Sequence, residues 1–135
     1  MMLSNKMKLL MLHARQFWYK PHTDLADAKN ENVNNAIVAF IHVEENDMDR
    51  NEIIGKAAGN LRWLAKKNKT DKVVLHSFAH LSNSKSNPET ANNIIQRIGE
   101  KLKKNFTIHI VPFGQFYEFS IHVLGPSLAK VFKDL

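Results

Sequence analysis

The chain has 135 residues, 44% hydrophobic and 24% charged, which is the size and balance of one globular domain able to bury a core without covalent staples. It contains no cysteine, which excludes disulfides, zinc ribbons, thiolate nucleophiles and iron–sulfur clusters and fits a cytoplasmic protein. No apolar run nears the roughly 18 residues that cross a bilayer, so no membrane partner is expected.

Met1 to Leu12 lacks a small-residue cleavage site and reads as a strand, not a signal peptide. Lys8 to His13 continues it as a buried strand, and Asn35 to Val43 is a second, with a near-continuous apolar run. Between them Pro21 to Asn34 is rich in Asn, Asp and Lys and reads as an irregular crossing. Asn46 to Asp49 offers capping oxygens; Ile53, Ile54, Ala57, Ala58, Leu61, Leu64 and Ala65 then recur at helical spacing, predicting a first helix from about Asp49 to Lys67. Lys72 to Leu75 is a short strand, and His76 to Asn87 a polar loop. Asn87-Pro88-Glu89 starts a second helix, with its stripe at Ala91, Ile94, Ile95, Ile98 and Leu102. Phe106 to Val111 and Phe116 to Val123 alternate as strands, and Gly125-Pro126-Ser127 turns into a short last helix, Leu128 to Phe132. The expected class is α/β (α+β), one domain over residues 1–135 without repeats.

The net charge of +6 is unevenly placed. Residues 1–22 carry four bases and no acid, 23–52 two bases and eight acids, and 53–135 thirteen bases and five acids. A basic C-terminal stretch attracts polyanions such as RNA. Arg62, Lys66 and Lys69 on the first helix, and Arg97, Lys101 and Lys104 on the second, read either as a phosphate track or as solvated faces.

Candidate chemistry is sparse. His76 and His80 stand four apart with no third metal ligand near in sequence, and His13, His42, His109 and His122 fall in predicted strands as hydrogen-bonded sheet residues. There is no G-x-S-x-G and no phosphate-cradling glycine loop. No cofactor and no metal are implied. Two phrases stand at strand ends, where pockets form: Ser77-Phe78-Ala79-His80-Leu81-Ser82, and Val111-Pro112-Phe113-Gly114 followed by Gln115-Phe116-Tyr117.

Phe78-Ala79-His80-Leu81-Ser82, Pro88-Glu89-Thr90-Ala91 and Pro112-Phe113-Gly114, in this order and spacing, resemble the archaeal editing domain of threonyl-tRNA synthetase. The likeness extends from the strand ending in His13, through Val38 to Ile41 and Val43-Glu44, to the last helix. It implies a D-aminoacyl-tRNA deacylase-like fold of about five or six strands with three helices, pairing as a homodimer. It implies hydrolysis of serine wrongly esterified to threonine tRNA, by a positioned water helped by the RNA 2′-hydroxyl. Main-chain groups around Phe78, Ala79 and His80 would hold the aminoacyl end, with His80 reading the side chain and Val43 and Phe113 beside the adenosine.

The chain departs from the family at Ser77, where the family has proline, at Phe116-Tyr117, where it has Tyr-Lys, and at Lys130, where it has glutamate. The family's lysine is a main catalytic contact. Tyr117 keeps a hydroxyl donor, and Lys130 would restore a positive charge or else be a surface lysine. The expected catalytic residues are therefore His80, Tyr117 and Lys130, and the expected substrate-binding residues Val43, Ser77, Phe78, Ala79, Phe113 and Phe116. The expected partners are the aminoacylated acceptor end of a tRNA, a second copy of the chain and a separate threonyl-tRNA synthetase. Met1-Met2 at the start and no linker after Leu135 lean towards a freestanding chain. The alternatives are a binding module without catalysis and a synthetase-docking subunit.

Overall fold

Leu9, Met11, Ile37, Ala39, Ile41, Val73 and Leu75 alternate with Leu10, Leu12, Val38, Phe40, Val74 and His76. Successive side chains of a strand point to opposite faces, so this period of two gives one sheet with two faces to cover. The computed structural model describes residues 6–23 and 29–135. Its six strands are β1 (Lys8–Pro21), β2 (Glu31–His42), β3 (Lys72–Ser77), β4 (Thr107–Ile110), β5 (Tyr117–Val123) and β6 (Lys130–Asp134). They form one sheet of order β4-β3-β2-β1-β5, with β6 also on β1.

The first face is covered by helices. β2, β3 and β4 run parallel, and parallel neighbours need crossover connections. α1 (Ile53–Lys67) and α2 (Pro88–Leu102) supply these. Ile53, Ala57, Leu61 and Leu64 of α1 and Ile94, Ile95, Ile98 and Leu102 of α2 pack on the first set of strand residues in one core. α2 is sharply started: the Asn87 side chain accepts from the Thr90 N–H at 2.8 Å, and Pro88 takes the first turn. Gly99 lets α2 approach β4, since a Cβ there would lie 3.0 Å from Ile110 Cδ1.

The second face is covered by the sheet itself. The β1–β5 register shifts between Ala14 and Gln16, and Asn35, opposite in β2, is left-handed at φ 52°. A bulge changes which side chains face inward. Leu10, Leu12 and Ala14 meet the second face before it, and Phe17 and Tyr19 meet it after. The bend carries β5 over the sheet. Phe119 of β5 comes within 5.4 Å of Phe40 and 5.9 Å of His76, ring centre to ring centre. In a flat sheet β5 and β3 would stand about 14 Å apart, at roughly 4.8 Å per strand.

The α/β class and six strands are as expected, with three corrections. Leu128 to Phe132 is not a helix: Ser127–Ala129 is a 3-10 turn and Lys130–Asp134 is β6. The first half of β1 would otherwise lack a partner on that side, and Lys130 to Asp134 pairs with Leu12 to Lys8. The first helix begins at Ile53, behind a 3-10 turn at Glu45–Asp49. Pro21 to Asn34 is no crossing: β2 starts at Glu31 opposite Tyr19, so the two strands form an antiparallel pair despite three asparagines. Residues 24–28 of that stretch lie outside the described residues.

Candidate functional site

Parallel strands leave their carboxyl ends, and the loops that follow, on one edge of the sheet. Here β3 ends at Ser77 and β4 at Ile110, and the curled sheet brings the start of β5 to the same place. A cleft of about 320 Å³ opens there. Its walls are Ser77 to His80 after β3, Val111 to Phe116 between β4 and β5, Tyr117 and Phe119 of β5, Pro88 of α2, and His76. A smaller chamber of about 130 Å³ adjoins it, lined by Val43, Lys85, Ser86 and Ala91. Ser77, Ala79, Pro88 and Phe113 line both.

The larger chamber is aromatic and uncharged. Among the described residues, none of those lining it is Asp, Glu, Lys or Arg, and the titratable ones are His76, His80 and Tyr117. Among the described residues, Lys85 is the one ionised side chain lining the smaller chamber. This donor set lacks the paired carboxylates of general acid–base hydrolysis. Among the described residues no group of three His, Cys, Asp or Glu side chains gathers to hold a metal.

His76 is the buried base of the cleft. It is 9% exposed, packed among Phe17, Phe40, Phe119 and Tyr117. Its Nδ1–H donates to the Ser77 carbonyl at 2.8 Å, which fixes the tautomer with a lone pair on Nε2. Nε2 is buried and has no protein partner. Burial disfavours the imidazolium and lowers the His76 pKa below its ordinary 6.5.

A buried polar network holds the loop that carries His80. His42 is fully buried. Its Nε2–H donates to the Ser84 carbonyl at 2.6 Å, with Glu44 Oε2 at 3.2 Å, and its Nδ1 accepts the Leu81 N–H at 3.2 Å. The Ser84 hydroxyl donates to Glu44 Oε1 at 2.9 Å. The Phe78 N–H donates to the Ile41 carbonyl and the Ser86 N–H to the Val43 carbonyl, at 2.9 and 2.8 Å. Loop 78–86 is thus tied at both ends and in its middle to the end of β2. The opposite wall is braced by the Tyr117 hydroxyl, which donates to the Pro112 carbonyl at 2.8 Å. Gly114, at φ +94°, makes a turn that other residues rarely adopt. Burial raises the Tyr117 pKa.

Eight of the nine residues expected from sequence meet here. Ser77, Phe78, Ala79, His80, Phe113, Phe116 and Tyr117 line the larger chamber, and Val43 the smaller. His80 is exposed, with its ring edge-on to Phe78 at 5.1 Å. Phe116 is 87% exposed. Lys130 lines neither chamber: it sits on β6, and its ammonium donates to the Leu124 and Gly125 carbonyls at 2.9 and 3.0 Å. Three features escape the sequence reading. His76 was readable from alternation, because it shares a face with Val74. The His42–Glu44–Ser84 network carried no local signal, since Ser84 is 40 or so residues from its partners, and Lys85 had none either, since it lines the chamber beside Val43, just past the end of β2.

The strand and helix arrangement is shared widely. The solved structure of a c-Myc DNA unwinding element binding protein superposes with a TM-score of 0.69, covering 96% of this chain and 98% of that one at 9% identity. That likeness concerns the fold. In sequence, a threonine–tRNA ligase of Pyrobaculum aerophilum is 31% identical over 93% of this chain and 22% of its own length. A threonine–tRNA ligase of Methanothrix thermoacetophila is 31% identical over 96% of this chain and 22% of its own. A threonine–tRNA ligase editing subunit of Saccharolobus solfataricus is 31% identical over 93% of this chain and 33% of its own. The chain therefore spans between a fifth and a third of the length of these curated relatives. The family described as the archaea-specific editing domain of threonyl-tRNA synthetase matches residues 7–135. With that match running through both loops that wall the cleft, the chain belongs to the family of archaeal threonyl-tRNA synthetase editing domains.

Proposed function

We propose that this chain edits aminoacyl-tRNA, hydrolysing the ester of a mischarged tRNA, with seryl-tRNA for threonine as its first substrate. The observation that carries this reading is the two-chambered cleft, walled by Ser77 to His80 and Pro112 to Phe116. The small chamber is mainly apolar, with Val43, Ala79, Pro88, Ala91 and Phe113 beside Lys85 and two serines, and suits a planar purine. The larger chamber takes the aminoacyl group, with His80 at its rim reading the side chain. Serine and threonine differ by a methyl, worth about 1–3 kcal/mol in a pocket, so a synthetase needs a second sieve. Ala79, His80 and the braced Pro112–Phe116 turn are the walls against which the extra methyl would be sensed.

Among the described residues no carboxylate lines either chamber, so the chain's part is to orient: main-chain groups after β3 hold the ester, and the RNA 2′-hydroxyl assists a bound water. Tyr117 acts through Pro112, by holding the opposite wall. Lys130 has no part in this reading. The test is deacylation of Ser-tRNA(Thr) and Thr-tRNA(Thr) by the whole chain. Serine should be released well above the uncatalysed rate and threonine not; no acceleration on either ends the enzyme reading.

The uncharged larger chamber favours one second reading, a module that binds the aminoacyl-adenosine end without cleaving it. Saturable binding of a non-hydrolysable seryl-adenosine mimic, without turnover of the ester, distinguishes it. In either case the working unit is a homodimer docked to a separate synthetase. Sedimentation at micromolar concentration checks the first, expecting twice the chain mass, and co-purification with the synthetase checks the second.

A further inference from the structure

At the end of the molecule opposite the cleft both helices deliver their carboxyl termini. α1 stops at Lys67 and α2 at Leu102. Beyond them Asn35, Lys66, Lys69, Thr70, Asp71 and Asn105 line a polar groove of about 720 Å³, with two lysines against one aspartate. Lys67, Lys101 and Lys104 stand on the same two helix ends and are exposed. Lys103 is held by Glu100 at 2.6 Å, but among the described residues Lys66, Lys69, Lys101 and Lys104 form no ion pair. The helix dipole accounts for a cation in each last turn. It does not account for Lys69 and Lys104, past the helix ends, or for the concave surface that Lys66 and Lys69 line.

α2 connects this groove to the cleft. It begins at Pro88, in the cleft wall, and its 15 residues cover about 22 Å at 1.5 Å each. Exposed Arg97, Lys101 and Lys104 follow its outer side towards the groove. We infer that the groove is a second anchor for RNA, gripping the phosphodiester backbone of the tRNA whose 3′ end enters the cleft. The identity of that RNA rests on the function proposed above; the demand for a polyanion rests on the groove's own charge and shape.

The experiment measures binding of uncharged tRNA to the whole chain, by fluorescence anisotropy across a salt series. A Lys66→Ala/Lys69→Ala/Lys104→Ala variant should bind tRNA about tenfold or more weakly near 0.15 M salt, with a log–log salt slope shallower by about two to three. Its affinity for the seryl-adenosine mimic should not change, which also reports an intact fold. A charge-matched control, Arg15→Ala/Lys56→Ala/Lys133→Ala, should lose much less. A charge-reversed pair, Lys69→Glu/Lys104→Glu, should weaken tRNA further. Unchanged tRNA binding in the groove variants overturns the inference, as does an equal loss in the control. Retained tRNA binding with lost co-purification of a synthetase assigns the groove to a protein partner and overturns it too. Because uncharged tRNA is the probe, a chain that fails to deacylate can still support the groove, and an active chain can still refute it.

Discussion

His76 is the residue whose environment most constrains its chemistry. One nitrogen is committed to the Ser77 carbonyl and the other is buried unpaired among aromatic rings. A buried acceptor without a partner costs about 1–3 kcal/mol, whereas an apolar group of similar shape costs nothing of the kind. His76→Phe should therefore leave unfolding free energy at pH 7 unchanged or raise it by about 1 kcal/mol. The acid limb should change as well. The folded pKa lies below the unfolded value, so the unfolded chain binds the proton first. Stability from this group is complete above about pH 6.5 and is lost as pH falls, by at most about 1.4 kcal/mol per pH unit. Urea titrations between pH 7 and 5 should show a shallower decline in His76→Phe than in the parent. Equal slopes would mean that His76 is not held neutral.

At the scale of elements, the cleft depends on two fixed pieces, loop 78–86 and helix α2. His42 joins the loop to β2 through Leu81 and Ser84. Its loss would leave the Ser84 carbonyl and the Glu44 carboxylate short of a donor. His42→Ala should cost about 2–4 kcal/mol, and amide exchange at Leu81 and Ser86 should rise more than in β3. If exchange rises evenly over the whole chain, the loop has no separate dependence on His42. Helix α2 lies close to β4 because position 99 has no side chain. Gly99→Val inserts a branched group where even a Cβ would meet Ile110 at 3.0 Å. A loss of about 1–3 kcal/mol is expected by chemical denaturation, since α2 must lift from the sheet.

Across the whole molecule, the sheet is closed by contacts between strands distant in its order. Tyr19 of β1 shares a 2.5 Å hydrogen bond with His109 of β4 and lies 5.3 Å from Tyr117 of β5, ring to ring. Its phenol is pushed up to about 12, first by burial and then by the Glu31 charge. Tyr117 is raised as well. These are the chain's two tyrosines. Ultraviolet titration should show less phenolate at pH 10 in the folded protein than in the unfolded chain, and the signal should rise at once on unfolding at that pH. The sign for stability follows: the contribution from Tyr19 is intact below pH 10 and is lost as pH rises through about 12. Ordinary titration near pH 10 in the folded chain would show that the sheet is not closed there.

Alternation in the first half of β1, the second half of β2, β3, β4 and β5, and the helical stripes of α1 and α2, are local properties, and each was readable where the chain carries it. So were the phrases at Phe78 to Ser82 and Pro112 to Gly114, because they lie where strands end. The last strand was not readable. Lys130 to Asp134 is too short for its period to tell helix from strand, and what makes it a strand is the open side of β1, 118 residues away at the Leu12 pairing. The same reason moved Lys130 out of the cleft. By itself the sequence determined the two helices, most of the strands, the helix-covered face and the loops that would carry the chemistry, since these follow from nearest-neighbour periodicity and capping. Only the tertiary structure decided that the sheet curls at Ala14 and Asn35, that β5 closes over His76, and that among the described residues no carboxylate lines the cleft. Those outcomes depend on which distant side chains share a buried space, and no local pattern encodes that.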